Sequence, residues 1–234
     1  MNQSPINLYL IPTVLAEGTN DQVLSPQIKD VILNVNVFFV ENVRTARRFI
    51  SSLKLGKVID NITFFELNKD TPRSVTMAQV KGLTQNAGIL SEAGCPGVAD
   101  PGAVAVDFAH QIGIKVIPLV GPSSILLALM ASGFSGQSFT FHGYLPIDKM
   151  ERRKAIQQLE RDVKQKNQTQ IFMETPFRNS SFLEAILEAA QPETLLCVAA
   201  NITSPEEFIQ THPVKYWRKN FPDVQKQPTI FLIG

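Results

Sequence analysis

The sequence has little cysteine, almost no excess of either charge, and no long uninterrupted apolar run. Only two of its 234 residues are Cys, namely Cys95 and Cys197, which excludes a disulfide-stabilised scaffold and matches no metal-ligand spacing. The 22 Lys and Arg against 21 Asp and Glu give a net charge of +1, so a uniformly basic nucleic-acid-binding surface is excluded and only a local basic patch remains. A hydrophobic share of 44% excludes a disordered chain.

The apolar segments are too short to cross a membrane. None approaches the roughly 18 consecutive apolar residues of a spanning helix. Pro5 and Asn7 interrupt residues 1–11, where a signal peptide would need its apolar core. We therefore expect a cytoplasmic protein with reduced thiols, without a membrane partner and without a metal site.

Strand-like and helix-like segments alternate along the chain, which is typical of an α/β protein with mostly parallel, buried sheets. Strand density and helix length change near residue 120, so we expect two α/β domains, residues 1–118 and 119–234. The predicted strands cover 7–12, 35–40, 62–66, 88–91, 114–120, 138–142, 169–173, 194–200 and 228–233. The predicted helices cover 22–33, 43–53, 73–85, 101–112, 122–132, 149–165 and 179–190.

Local residue preferences suggest where several of these helices begin and end. Ser74 and Asp100 are candidates for helix caps at the starts of helices 73–85 and 101–112. Pro122 suits the first turn of helix 122–132, and Gly133 suits its end.

The segment SEAGCPGVADPG at 91–102 joins a predicted strand to a predicted helix. Ligands in open α/β sheets bind outside the carboxyl ends of the strands, where this loop is expected. Its glycines permit tight turns and close approach of the backbone to a ligand, and Pro96 and Pro101 stiffen it. The loop contains neither GxGxxG nor GK[ST], so it is not a phosphate-binding motif. An ordinary loop with a helix cap is the alternative interpretation.

The segment ENVRTARR at 41–48 places a carboxylate and three arginines beside another strand end. Glu41 follows a buried strand, Arg44 and Arg48 share one helix face, and Arg47 lies next to them. Guanidinium groups at this density can bind phosphates. The alternative is a solvated helix face with Glu41 as its cap.

Two more strand-to-helix turns are weaker candidates. VGPSS at 120–124 offers the free amides of a helix start, although a well-capped helix explains it equally. Glu174 and Arg178 follow a strand, where a local ion pair is the alternative. None of the three histidines gives Cys95 a plausible partner, so a Cys/His hydrolase is disfavoured.

Taken in order, these segments resemble the tetrapyrrole-methylase-fold family of S-adenosylmethionine-dependent methyltransferases. The similarity is greatest to the branch that methylates a ribose 2′-hydroxyl of a cytidine in small-subunit ribosomal RNA. ENVRTARRFI at 41–50 resembles EDTR-x-x-RRLL, and SEAGCPGVADPG at 91–102 resembles SDAGTP-x-x-SDPG. The stretch at 114–134 resembles a strand–PGPS–helix stretch with an ASG ending, and HGYLP at 142–146 and ETPFR at 174–178 resemble GFLP and ESPHR.

The resemblance implies two α/β domains with S-adenosylmethionine bound in the cleft between them, usually in a homodimer. The loop at 94–98 then meets the methionine part of the cofactor, and Met173 lies near the adenosine. The complete set of cofactor-binding residues implied in this way is Gly94, Cys95, Pro96, Val98, Ser123, Ser124, Met173, Asn201 and Thr229.

The resemblance implies an RNA substrate from the small ribosomal subunit, and such a substrate assigns roles to the charged residues. Glu41 is the expected base for the ribose hydroxyl, and Arg44 is the second expected catalytic residue. The expected substrate-binding residues are Arg47, Arg48, Glu174 and Arg178. A second basic group that would extend the RNA track consists of Lys149, Arg152, Arg153 and Lys154.

The sequence also departs from that branch. IPTVLAEG at 11–18 replaces the first-strand loop TPIGN, NITS at 201–204 replaces ELTK, and we expect no C-terminal extension after Gly234. Two alternatives therefore stay open. A methyltransferase for a small molecule such as a tetrapyrrole is one, although the arginine-rich helix argues against it. A non-catalytic cofactor-binding or interaction module is the other, suggested by the altered first loop.

Overall fold

The computed structural model describes residues 6–234, and the chain separates into two compact units, Met1–Pro122 and Ser123–Gly234. The sequence-based boundary lies between residues 118 and 119. The segment 1–11, for which we expect no signal peptide, begins outside the described residues. No helix within residues 6–234 is long and apolar enough to cross a membrane.

The first unit is a parallel sheet between two layers of helices, with strand order β3-β2-β4-β1-β5. Its strands are β1 (Asn7–Ile11), β2 (Val37–Val40), β3 (Thr63–Glu66), β4 (Ala87–Leu90) and β5 (Lys115–Pro118). Its helices are α1 (Asn20–Val23), α2 (Pro26–Asn34), α3 (Val43–Ser52), α4 (Arg73–Lys81) and α5 (Ala103–Gln111), with a 3-10 turn at Ile59–Asn61.

Alternate side chains of β2 build the two cores of this unit. Phe38 packs with Ile28 of α2 and Ile50 of α3 on one face, whereas Phe39 packs with Val80 of α4 and Phe108 of α5 on the other. The chain leaving β1 therefore turns towards the first face, and the chain leaving β4 turns towards the second. Because β1 and β4 are neighbours, a crevice opens between their carboxyl ends, which is the usual ligand site of such sheets.

The second unit contains a mixed sheet with strand order β6-β7-β10-β8-β9. Its strands are β6 (Phe139–Tyr144), β7 (Thr169–Met173), β8 (Leu195–Ala200), β9 (Phe208–Pro213) and β10 (Thr229–Ile233). Its helices are α6 (Ser124–Ser132), α7 (Lys149–Lys166), α8 (Asn179–Ala189) and α9 (Val214–Trp217), with a 3-10 turn at Pro176–Arg178. Three mutually packed rings, those of Phe172, Phe182 and Phe231, form the centre of its core.

The predicted α/β fold class is confirmed, but parallel pairing dominates only the first sheet. In the second sheet β6 and β7 pair parallel, whereas β10 pairs antiparallel with β7 and β8, and β9 pairs antiparallel with β8. The connection from β8 to β9 is too short for the crossover that parallel neighbours require. The sequence-based prediction also missed β9 and α9.

Several predicted helix ends are wrong in instructive ways. The helix predicted at 22–33 is two helices, because Pro26 begins α2 and Ser25 before it is extended (φ −68°, ψ 148°). Ser74 lies inside α4 after Pro72 and makes no cap. Pro122 precedes Ser123, which is the residue that caps α6, so Pro122 is outside the first turn. Gly133 ends α6 in the left-handed conformation (φ 79°), as predicted.

Candidate functional site

The loops that follow β1 and β4 are bonded to each other across the crevice. The amide of Thr13 donates to the carbonyl of Gly94 (3.0 Å), and the Thr13 hydroxyl donates to the carbonyl of Ser91 (3.2 Å). Ser91 in turn donates from its hydroxyl to the carbonyl of Gly94. Thr13 and Ser91 are both buried. The segments 91–102 and 11–18 contain these two residues, but the sequence alone assigns neither a role of its own, although a hydroxyl residue close after a strand end is a signal that could have done so.

Asp100 and the glycines of the loop at 91–102 fix its shape. Asp100 Oδ1 accepts hydrogen bonds from the amides of Gly97 (2.9 Å) and Gly102 (2.6 Å). The helix after the loop begins only at Ala103 and has no side-chain cap, so the predicted capping role of Asp100 is wrong. Asp100 closes the loop on itself instead, which reduces the entropy that the loop would lose on binding a ligand.

Gly94 and Cys95 form the part of this loop nearest the crevice. Gly94 has φ 71°, and a Cβ there would lie 3.1 Å both from the Leu15 side chain and from the Pro122 carbonyl oxygen. The Cys95 thiol is 3.3 Å from that same carbonyl. Burial raises the pKa of Cys95, which keeps it a thiol and disfavours a nucleophilic role. Pro96 is buried, and Val98 is exposed.

The other predicted cofactor residues belong to the second unit. Ser123 caps α6 by accepting from the amide of Leu126 (3.4 Å), and Ser124 is the first residue of that helix. Met173 ends β7 and is half-buried. A common contact of these residues and the 94–98 loop with one cofactor stays a prediction.

Gln227 links the last two predicted cofactor residues. Its side-chain oxygen accepts from Asn201 Nδ2 (2.7 Å), and its carbonyl accepts from the Thr229 hydroxyl (2.9 Å) and from Asn179 Nδ2. Asn201 has φ 51°, and Thr203 after it has φ 72°, which is strained for a β-branched residue. Within residues 6–234, Asn179 Oδ1 and Thr203 Oγ1 are buried without a hydrogen-bond partner.

Taken by itself, each unit has features that would suit part of a polar cofactor such as S-adenosylmethionine. The left-handed Gly94 lets the loop of the first unit pass close to Leu15 and Pro122, where a side chain would be crowded. The polar group around Gln227 in the second unit includes Asn179 Oδ1, a buried acceptor without a hydrogen-bond partner among the described residues. Backbone strain beside it at Thr203 is of the kind that accompanies ligand sites.

Glu41 follows β2 directly and faces two other carboxylates. Its pKa is raised from 4.5 to about 7 by burial first, then by the nearby charges of Asp100 and Glu92, while a hydrogen bond from the Glu92 backbone opposes the rise. Asp100 Oδ1 is already bonded by the amides of Gly97 and Gly102. Asn42, not Glu41, caps α3 by accepting from the amides of Arg44 (2.9 Å) and Thr45 (3.2 Å). Glu41 is therefore free of the capping role that was its alternative.

Helix α3 carries the strongest local positive charge near the crevice. It contains three arginines and no acidic residue. Arg47 is paired with Asp60 (2.7 Å), whereas Arg44 and Arg48 form no ion pair within the described part of the chain. All three arginines line an open cavity of about 560 Å³ together with Glu66 at the end of β3. The arrangement suits phosphate binding at two uncommitted guanidinium groups.

The remaining predicted substrate residues are largely committed to each other. Arg178 Nη2 lies 2.6 Å from Glu174 Oε1, and the Glu174 side chain is only 1% exposed. The Thr175 amide also donates to Glu174 Oε1 (2.6 Å). This geometry matches the local ion pair that was the alternative interpretation, and it fixes the turn after β7.

The second predicted basic group, at the start of α7, is also partly neutralised. Lys154 pairs with Glu151 (2.9 Å), and Lys149 lies 3.9 Å from Glu188. The guanidinium of Arg152 lies over the Phe182 ring at 6.0 Å. Arg153 is exposed and has no ion pair among residues 6–234. Residues 6–234 hold no cluster of His, Cys, Asp and Glu suited to a metal ion.

Comparison with known proteins supports the family resemblance. No family model matches the chain. It is 29% identical over 215 residues to ribosomal RNA small subunit methyltransferase I of Vibrio cholerae. The matched stretch covers 91% of this chain and 70% of that protein. It is 29% identical over 203 residues to the Bacillus subtilis protein of the same name, covering 87% of this chain and 66% of that protein.

Solved structures confirm the fold. The methyltransferase CobJ superposes with a TM-score of 0.62 at 17% identity and covers 99% of this chain and 94% of its own. Uroporphyrin-III C-methyltransferase of Thermus thermophilus, complexed with S-adenyl homocysteine, has a TM-score of 0.57 at 14% identity and covers 97% of both chains. The chain therefore has the tetrapyrrole methylase fold, and its curated homologues are ribosomal RNA methyltransferases.

Proposed function

We propose that this homologue of ribosomal RNA small subunit methyltransferase I uses S-adenosylmethionine to methylate a ribose 2′-hydroxyl of ribosomal RNA. The similarity to such enzymes over 91% of the chain carries the proposal. The crevice supports it independently, because a rigid glycine loop, a carboxylate of raised pKa and an arginine-rich helix surround the same strand ends.

In the proposed reaction the bound cofactor supplies an activated methyl group together with its leaving group. Residues 94–98 would hold the methionine part, and Met173, Asn201 and Thr229 would hold the adenosine. The loop bonds between Thr13 and Ser91 keep the crevice in one geometry. Alignment of donor and acceptor is worth ~7–11 kcal/mol in well-oriented reactions, so this rigidity is the main contribution of the chain.

Glu41 takes the proton from the ribose hydroxyl. A base with a pKa of about 7 is substantially ionised near neutral pH and still accepts a proton readily. Arg44, the second proposed catalytic residue, and Arg48 bind RNA phosphates beside Glu41. Arg47 is paired with Asp60, so it binds RNA only if that ion pair breaks. Glu174 and Arg178 support the substrate side of the second unit by fixing the turn after β7.

The same features distinguish the proposed function from two alternatives. A tetrapyrrole substrate is favoured by the solved structures, but these are under 25% identical and share the fold alone. The uncommitted Arg44 and Arg48 favour RNA. A non-catalytic module would not need a carboxylate of raised pKa at the strand ends. The homodimer, the cytoplasmic location and the absence of a membrane partner also remain proposals.

A two-step experiment tests the function. Calorimetry with S-adenosylmethionine should detect binding, and no binding at millimolar cofactor would contradict both enzyme functions. Tritium-methyl transfer to 30S subunits that lack the modification should then label a ribose. The Glu41→Gln variant should bind the cofactor normally and lose most of the methyl transfer. If wild-type protein with saturating cofactor leaves the 30S subunits unlabelled, the proposed RNA substrate is refuted.

A further inference from the structure

We infer that a second cavity of the first unit, behind α3, receives the target nucleoside of the RNA after it leaves its base stack. This inference rests on the proposed function. The cavity has a volume of about 960 Å³ and is bounded by residues 13–18 after β1, by the 45–54 side of α3 and by residues 90–93 after β4. That volume is at the upper end of ligand sites, so a whole nucleoside fits.

The cavity is next to the proposed methyl-donor loop but is built from other residues. Its wall ends at Ala93, and the loop expected to hold the cofactor begins at Gly94. The bond between the Thr13 amide and the Gly94 carbonyl joins the two regions. A nucleoside in the cavity would therefore lie beside the donor without occupying its site.

The side chains of the cavity match the parts of a nucleotide. Phe49 of α3 is half-buried in the wall and offers a ring on which a base can stack. Glu17 and Glu92 are exposed carboxylates in the same wall and accept hydrogen bonds only. Carboxylates select a base with an exocyclic amino group over one that presents a carbonyl there. A third carboxylate in the wall, Asp21, is paired with Lys29 (2.6 Å).

Arg48 explains how the RNA backbone would enter. It lines both this cavity and the open cavity formed with Arg44 and Arg47. A strand whose phosphates follow the exposed side of α3 can therefore pass Arg48 and place one nucleoside on the other side of the helix. Extrusion of a nucleotide is how enzymes reach groups that a folded nucleic acid covers.

The proposed base is in contact with the cavity wall. Glu92 belongs to the wall and lies close enough to Glu41 for its charge to raise the pKa of Glu41. A ribose at the mouth would thus present its hydroxyl towards Glu41 while its base remains inside. Residues 13–18 of the altered first loop form the opposite wall, which gives this departure from the related branch a role in shaping the nucleoside site.

The test compares two tryptophan substitutions on neighbouring residues. Ser52 lines the cavity, whereas Ser51 is equally exposed on α3 but does not line it. Binding of cytidine 5′-monophosphate is followed by nuclear magnetic resonance in the presence of S-adenosylmethionine. Ser52→Trp should weaken binding about tenfold or more, since base stacking in the cavity is lost. Ser51→Trp should leave binding unchanged, and both variants should keep wild-type affinity for the cofactor.

A second variant tests base selection. Glu17→Gln should reduce the preference of the protein for cytidine over uridine 5′-monophosphate without altering cofactor affinity. Equal effects of both tryptophans, or a wild-type protein that binds neither nucleotide, would overturn the inference. Nucleotide binding without methyl transfer to 30S subunits would instead refute the proposed function and leave the cavity assignment standing.

Discussion

Replacing Glu41 by Gln is expected to stabilise the folded chain at alkaline pH. Glu41 is half-buried and faces Asp100 and Glu92, and its pKa is raised from 4.5 to about 7. Above that pH the folded protein must hold an ionised carboxylate beside other negative charges. Gln has nearly the same shape and carries no charge, so the variant removes this cost.

The magnitude follows from the size of the pKa rise. At about 1.4 kcal/mol per pH unit, the rise from 4.5 to about 7 corresponds to about 3 kcal/mol of unfavourable free energy for the ionised form. Glu41 is only half-buried, so solvent screens part of this interaction. We therefore expect a gain of about 1–2 kcal/mol in the free energy of unfolding.

The size of the stabilisation depends on pH within a defined window. Below 4.5 the carboxyl is protonated in both the folded and the unfolded chain, so wild type and variant should have similar stability. Between 4.5 and about 7 the unfolded chain releases its proton while the folded chain keeps it, and the wild type loses stability relative to the variant. Above about 7 the full difference is present.

Urea unfolding followed by circular dichroism, which reports both units, measures this difference at about pH 4 and about pH 8.5. Glu66→Gln, at the exposed end of β3, is the matched control and removes a charge without burial. Asp100→Asn keeps the oxygen that bonds Gly97 and Gly102 but removes the charge beside Glu41, so the gain from Glu41→Gln should shrink in that background. A gain that is independent of pH, or equal in the control, would refute the reasoning.

Two further predictions concern the loop and the second unit. Gly94→Ala should lower the affinity for S-adenosylmethionine measured by calorimetry, because φ 71° and the 3.1 Å distances to Leu15 and Pro122 force the loop to shift; unchanged affinity would show that the loop does not hold the cofactor. Arg178→Ala should lower the free energy of unfolding by about 2 kcal/mol, because Glu174 is left buried without its partner. The double variant Glu174→Gln with Arg178→Ala should recover most of that loss in urea unfolding, and no recovery would contradict the ion-pair explanation.

The order of elements could be predicted from the sequence because the apolar runs coincide with strands and the Gly or Pro residues coincide with the loops between elements. The run VNVFFV predicts β2, and GILS before a glycine-rich loop predicts β4, since both are buried on two faces. β9 was missed for the opposite reason. It is an edge strand with polar Gln210 and His212 and a terminal Pro213, so it lacks the apolar alternation of a strand.

Strand direction in the second unit could not be predicted from local patterns. TIFLI of β10 is buried at every position, which is the pattern usual for a parallel strand. Yet β10 runs antiparallel between β7 and β8. Burial on both faces reports only that helices cover the sheet, as α6 and α7 do here. Direction is set by the connections, which a single strand does not record.

The candidate site shows the same division between local and long-range information. The three arginines of α3 are a local pattern, and the pairing of Glu174 with Arg178 follows from their spacing along one turn. The approach of Glu41 to Asp100 depends on β2 and β4 being neighbours, although β3 separates them in sequence. Strand order therefore places Asp100 beside Glu41, and the charge of Asp100 helps to raise the pKa of Glu41. The raised pKa of Glu41, on which its proposed role as a base rests, therefore depends on the arrangement of the sheet.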